Sequence, residues 1–432
     1  MLELSFIENE LLDFHFKGFP ATEPPVHMNA IAERGWNVLR GDLPMPLPVL
    51  KRSVLDRNER WMREFIARFN VSLSPHGKTT MAPQLFDRQL SAGAWGMTLA
   101  TVHQVGIAVH AGVRRILIAN QVIDPADLHR LVALLNRDET LEILFLVDSM
   151  EGMALAAEAA KEGELTRPFQ VLLEVGYKGG RTGCRSKDGA LTLARALADS
   201  PHFTLRGIEC YEGLLAKGNP EEDAHHVSAF LGTARDIAED CDRQGLFEGD
   251  EILLTAGGSA FFDIVAREFV LKTASRPVRT VLRSGCYVTN DSGVYERLFA
   301  AIENRLGAEK GDAPGLAPAL EVWSVVQSRP QPDLALLTMG RRDASADSDL
   351  PRPLKWFRPG AHTEPQPAPD SWRTSGMNDQ HTYLSLPDDA PLKVGDMICC
   401  GISHPCTTFD KWQLIMEVDD AYIVIGAVRT FF

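Results

Sequence analysis

From about residue 70 to 290 the chain alternates short β-rich runs with helix-like stretches, and that alternation constrains its fold more than any other feature. The runs cover residues 71–74, 96–100, 115–119, 142–147, 169–175, 205–210, 251–255 and 279–284. They are nearly continuously apolar, as parallel strands covered on both faces must be. Alanine- and leucine-rich stretches such as 125–136, 150–161 and 187–199 lie between them and read as helices. Eight such units in a row predict an α/β fold of the (β/α)8, TIM-like barrel type. A doubly wound open sheet is the alternative that the pattern leaves open.

The texture changes after about residue 305. Residues 306–318 are rich in Gly and Pro, and 329–369 carry eight prolines. Proline cannot donate to a sheet ladder, so the second stretch reads as loop between short strands. Strand patterns return at 321–327, 382–386, 396–400, 414–418 and 422–430. The expected organisation is a barrel over 46–304 and a C-terminal β domain over 305–432, joined by an N-terminal segment over 1–45. A length of 432 residues suits two or three domains.

Composition removes several classes of function. Apolar residues make up 45% and charged residues 24%, the balance of a globular protein with a sizeable core. A formal charge of −14 is the wrong sign for a nucleic-acid partner. No apolar run reaches the ~18 residues of a membrane span. The start, MLELSFIENE, has no basic region followed by an apolar core, so no secretory signal is expected. Seven scattered cysteines, an odd number, do not make a disulfide framework, and the cytoplasm is the expected compartment.

Barrel active sites gather at the C-terminal ends of the strands, so the residues just after each run are the ones to weigh. Lys78 follows the first run, in Pro75-His76-Gly77-Lys78-Thr79. Gly77-Lys78-Thr79 resembles the end of a phosphate-binding loop, but that motif needs glycine at 72, where the chain has Ser72. A lysine presented there can instead form an imine with an aldehyde cofactor and later act as a base. Thr255-Ala256-Gly257-Gly258-Ser259 lies between strand and helix and offers backbone N–H groups as a phosphate cradle. Arg181, between glycine pairs, can meet an anionic oxygen or pair with Glu174 or Asp188. Tyr211 can pack on a cofactor ring or cap the barrel core.

Far downstream, His404-Pro405-Cys406 places an imidazole and a thiol two residues apart. Both suit zinc, and in an extended segment they would share a face. Cys399 and Cys400, inside a strand pattern, read as core residues.

These segments resemble the alanine-racemase-like, fold-type III pyridoxal-phosphate enzymes, in the branch of the D-serine dehydratases and D-threonine aldolases. The resemblance is carried by the Lys78 segment, Gly93–Val102, Glu174–Gly183, Thr255–Ser259, Gly285–Asp291 (GCYVTND) and Ser403–Trp412 (SHPCTTFDKW). It looks nearest to bacterial amino-acid deaminases of the D-serine deaminase-like type. It implies pyridoxal phosphate held by Lys78, with Arg181, Tyr211, Thr255, Gly257, Gly258, Ser259 and Tyr287 around it. It further implies a divalent metal, zinc for preference, on His404 and Cys406, and a homodimer. The activity implied is dehydration of a D-β-hydroxy amino acid, with D-serine first, to a keto acid and ammonia. D-threonine-type aldol cleavage is the close alternative, although aldolases of this branch more typically pair histidine with aspartate. A cofactor carrier without turnover is the other alternative; such single-barrel relatives lack a C-terminal β domain. The loop Glu212–Ala216 and the long insert at 329–369 depart from the family pattern and leave the substrate open.

Overall fold

A computed structural model describes all 432 residues. Eight parallel strands form one curled sheet: β1 (Ser72–Leu73), β2 (Met97–Leu99), β3 (Arg115–Gln121), β4 (Glu142–Val147), β5 (Phe169–Val175), β6 (Phe203–Cys210), β7 (Ile252–Ala256) and β8 (Val278–Leu282). β1 pairs with β8, and the sheet runs from there through β7 and down to β2. A parallel bridge between His76 and Thr98, with the Thr98 N–H donating to Pro75 O at 2.9 Å, brings β2 back to β1. The sheet therefore closes as a barrel rather than opening as a doubly wound sheet.

The period of two along a strand separates inside from outside. Leu144 and Leu146 of β4 join Leu117, Leu172 and Leu253 in the barrel interior. Ile143, Phe145 and Val147, alternating with them, face the larger core beneath the helices. Those helices begin at side-chain caps: Ser149 Oγ accepts from Gly152 N ahead of Met150–Glu162, and Asp124 caps Pro125–Arg137.

The C-terminal domain is antiparallel. Leu320–Gln331 and Met397–Gly401 pair centrally, and Leu334–Leu337, Thr382–Ser385 and Arg373–Met377 extend one side. The insert is less irregular than its prolines imply, since Leu334–Leu337, Arg352–Phe357 and Gln366–Pro367 are strands. Pro353 sits at a register shift, where a missing donor costs little.

The first residues join this domain. Leu47–Lys51 pairs with both Leu320–Gln331 and Leu414–Val418. The β domain thus takes a strand that a boundary at residue 45 assigns to the barrel. Ile7, Leu12 and Trp36 pack with Trp323 and Met416 in a core separate from the barrel's. No helix is long and apolar enough to cross a membrane.

Candidate active site

A cavity of about 700 Å³ opens at the C-terminal ends of the barrel strands, roofed by residues of the β domain. That volume falls among ligand pockets able to enclose a cofactor and a small substrate. Lys78 enters it from the one-turn helix Gly77–Thr79 that follows β1. Arg181, Tyr211, Gly258 and Ser259 line the same space, as do His404 and Cys406. Seven of the residues singled out in the sequence therefore meet in one chamber, although their positions span more than three hundred residues.

Thr255, Gly257 and Tyr287 are not on the cavity wall. Thr255 is buried in β7; its hydroxyl donates to Val281 O and accepts from Arg283 Nη1 at 3.0 Å. It ties strands together, so its side chain is already committed. Tyr287 is buried beneath the loop after β8 and bonded to Gln89; the residue of that loop facing the cavity is its neighbour Cys286. Gly257 contributes its backbone. Its φ of +85° and a virtual Cβ only 2.8 Å from Leu282 Cδ2 exclude other residues there without strain.

The amides of Gly257 and Gly258 point at a carboxylate. They donate to the two oxygens of buried Glu212, at 3.2 and 2.8 Å. The pair therefore binds anionic oxygen, as a phosphate cradle must, and Glu212 occupies it in this structure. Below, Arg283 reaches from the end of β8 to Glu209 Oε1 at 2.5 Å and to Cys210 O, locking β8 to β6. Full burial pushes the Glu209 carboxyl up to about 8 despite the adjacent guanidinium. His76 also borders the cavity; burial and the charges of Lys78 and Arg283 hold its imidazole well below the usual range, and its Nδ1 has no partner. Arg181 makes no ion pair with Glu174 or Asp188. Its guanidinium lies 5.0 Å from the Tyr211 ring centre, and Glu174 is bonded by Thr182 Oγ1 and by Gln121.

The opposite wall comes from the β domain. His404 and Cys406 are not in an extended segment: His404 has φ +63°, and Cys406 opens the one-turn helix Cys406–Phe409. A tight turn, not strand alternation, puts both side chains on the cavity. Asp291 fixes that turn from the barrel side. One of its oxygens accepts from Gly293 N and Tyr295 N at the start of the helix Val294–Leu306, and the other accepts from His404 N at 2.7 Å. Asp347, in the proline-rich insert, meets His404 Nδ1 at 2.5 Å and accepts from Thr407. Although burial opposes it, these hydrogen bonds hold the Asp347 carboxyl below its usual range. With Nδ1 so engaged, Nε2 is the free ring nitrogen, the arrangement of a metal-binding histidine oriented by a carboxylate.

Two cavity residues escape the sequence reading. Cys286 Sγ lies 3.8 Å from Cys406 Sγ and 3.4 Å from Thr79 Oγ1. The hydrogen bond from Cys406 pulls the Cys286 thiol down to about 6, and the same hydrogen bond, with burial, pushes Cys406 up. Tyr295 also lines the cavity, and the Cys286 charge beside it raises its hydroxyl, keeping it a donor rather than a base. Cys286 lies inside GCYVTND, a segment that the family resemblance marks; nothing local marks Tyr295.

The donor chemistry fits both implied groups. An amine, a guanidinium and an anion-binding amide pair suit pyridoxal phosphate, and an imidazole with a thiol suits zinc. No group of three or more His, Cys, Asp or Glu side chains forms a ready-made metal cage, so the metal donors stand as an open set on one wall.

Comparison with known proteins agrees with this layout. Residues 51–269 match the alanine racemase N-terminal domain, and 319–418 match the putative serine dehydratase domain. A D-threonine aldolase from Arthrobacter sp. is 27% identical over 380 residues, covering 88% of this chain and 90% of that protein. A D-threo-3-hydroxyaspartate dehydratase from Delftia sp. (strain HT23) is 31% identical over 175 residues, 40% of this chain and 44% of that one. The crystal structure of D-threonine aldolase from Filomicrobium marinum superposes with a TM-score of 0.74 at 23% identity, covering 92% of this chain and 97% of that one. With the lysine after the first strand, the closed barrel and the β domain over its mouth, the chain belongs to the alanine-racemase-like, fold-type III pyridoxal-phosphate enzymes, and it carries their serine-dehydratase type of C-terminal domain.

Proposed function

We propose that the chain is a lyase for D-3-hydroxy amino acids, eliminating the β-hydroxyl to give a 2-keto acid and ammonia, with D-serine the first substrate to test. The observation that carries this reading is the presence of His404 and Cys406 on the cavity that holds Lys78. Hydroxide is a poor leaving group, and a metal beside it is the means of making it depart.

Pyridoxal phosphate, when bound, supplies an electron sink for the charge left at Cα. A zinc ion on His404 and Cys406, when bound, supplies a Lewis acid at the β-oxygen. The chain's own residues do the rest. The Lys78 amine takes the α-proton. Arg181 offers its unpaired guanidinium to the substrate carboxylate. The Tyr295 hydroxyl donates towards the departing oxygen's end of the cavity, and Asp347 keeps the His404 ring turned to that end. The released enamine hydrolyses in water to keto acid and ammonia.

Aldol cleavage is the second reading, favoured by the similarity to D-threonine aldolase over most of the chain. There Cα–Cβ breaks, and the β-hydroxyl loses a proton instead of leaving. Incubation with D-serine and D-threonine, with and without a chelator, separates the two. Pyruvate or 2-oxobutyrate with ammonia, lost on chelation, is the expected result. Glycine and acetaldehyde from D-threonine would replace the dehydratase reading with the aldolase one.

A further inference from the structure

We propose that Cys286 is a metal ligand alongside Cys406, giving the metal site of this chain two thiolates; with His404 they are not a preassembled group of three, and the ion itself completes the set. The inference rests on the metal-assisted reading above and adds a residue to it. Its basis is a distance. Two sulfurs bound at 2.3 Å to one tetrahedral zinc stand ~3.8 Å apart, the edge of the tetrahedron. Cys286 Sγ and Cys406 Sγ are 3.8 Å apart before any metal is considered. Both thiols line the cavity, and His404 lines the same wall.

The two sulfurs come from different domains. Cys286 sits on the loop after β8, and Cys406 on the turn that Asp291 pins from the barrel side. Neither is in a disulfide, and neither has a carboxylate or amine partner that would compete for it. Thr79 Oγ1 lies 3.4 Å from one sulfur and 3.5 Å from the other, so the pair is anchored to the residue after Lys78. A metal on that edge would share the cavity with Lys78, as it must if the β-oxygen of a substrate meets the metal while its α-proton goes to Lys78. Both bind as thiolates, and the proton still held by the pair is released to solvent. Two thiolates also offset the charge of a divalent ion, leaving a milder Lewis acid than one thiolate with water would give.

The test counts sulfurs on the metal and does not use turnover. Metal-free, reduced protein is titrated with cobalt(II), and the thiolate-to-cobalt charge-transfer band is measured per bound ion. The wild type is expected to give a two-thiolate band. Cys286→Ser and Cys406→Ser should each keep half of it, and each should bind cobalt at least about tenfold more weakly. Cys286→Asp should recover affinity without recovering the band. Circular dichroism checks that each variant is folded. If Cys286→Ser keeps the full band and wild-type affinity, or if Cys406→Ser abolishes the band, Cys286 is not a ligand. A wild type that binds cobalt with one thiolate overturns this inference alone; a wild type that binds none also removes the metal from the proposed function.

Discussion

The two walls of the cavity are built on opposite plans. On the barrel side the groups behind the surface are paired, Arg283 with Glu209 and Thr255 and the Gly257 and Gly258 amides with Glu212, while Lys78, the Arg181 guanidinium and His76 Nδ1 stand open. On the β-domain side the second-layer groups are paired, but the atoms at the surface are open. Asp291 and Asp347 take the His404 backbone and Nδ1, leaving Nε2 and the Cys406 thiol facing the space. The difference teaches that the barrel wall is a socket of fixed shape, whereas the other wall is a set of donors waiting for an electrophile. Satisfied groups give rigidity, and unsatisfied ones give chemistry.

If that division holds, the walls can be broken separately. Lys78→Ala should lower keto-acid formation by about 10³-fold or more and remove the lysine-bound cofactor absorbance, while cobalt binding stays unchanged. Loss of cobalt binding in the same variant would mean that the walls are not independent. Asp347→Asn should weaken metal affinity by about 10–100-fold, recoverable at higher zinc, with the cofactor spectrum intact. Gly257→Ala forces a side chain into a left-handed backbone and against Leu282, and should cost about 1–2 kcal/mol in urea unfolding without changing metal affinity.

The smallest effect is electrostatic. Hydrogen bonds hold Asp347 below its ordinary value, so its contribution to stability is present above that value and is lost as pH falls through the folded one. Because the side chain is half exposed, the stability gap between wild type and Asp347→Asn at pH 7 should be less than about 1 kcal/mol and should narrow as the pH is lowered from 7 to about 2. A gap unchanged between those pH values would show that the aspartate contributes shape rather than charge.

The barrel wall was far more legible in the sequence than the β-domain wall. Continuous apolar runs mark buried parallel strands, and the runs at 142–147 and 169–175 coincide with β4 and β5. Strand ends then point to Lys78, Arg181 and Tyr211 without further information. The other wall depends on groups brought together from remote positions, for which a sequence carries no local signature. The proline content of the insert hides Asp347, because a loop-like composition does not say which carboxylate turns inward. His404 and Cys406 arrive by a tight turn with a positive φ, which a strand-based reading cannot anticipate. In GCYVTND the reading falls on Tyr287, one residue from the side chain that faces the cavity. On so tight a loop neighbouring residues point in different directions, and only packing decides which one is buried.

The pairing of Leu47–Lys51 with Leu320–Gln331 and Leu414–Val418 has a consequence for how the molecule is made. The ribosome emits Ile7, Leu12 and Trp36 long before Trp323 and Met416, the residues they pack against. At 5–20 residues per second the interval is roughly 15–80 s, during which that apolar surface has no partner. The barrel between them is complete in sequence by then and is free to close first. Birth order thus runs through the cavity: the barrel wall is finished while the turn that carries His404 and Cys406 is still unsynthesised, and a chain truncated near its end would keep Lys78 and lose the wall that faces it.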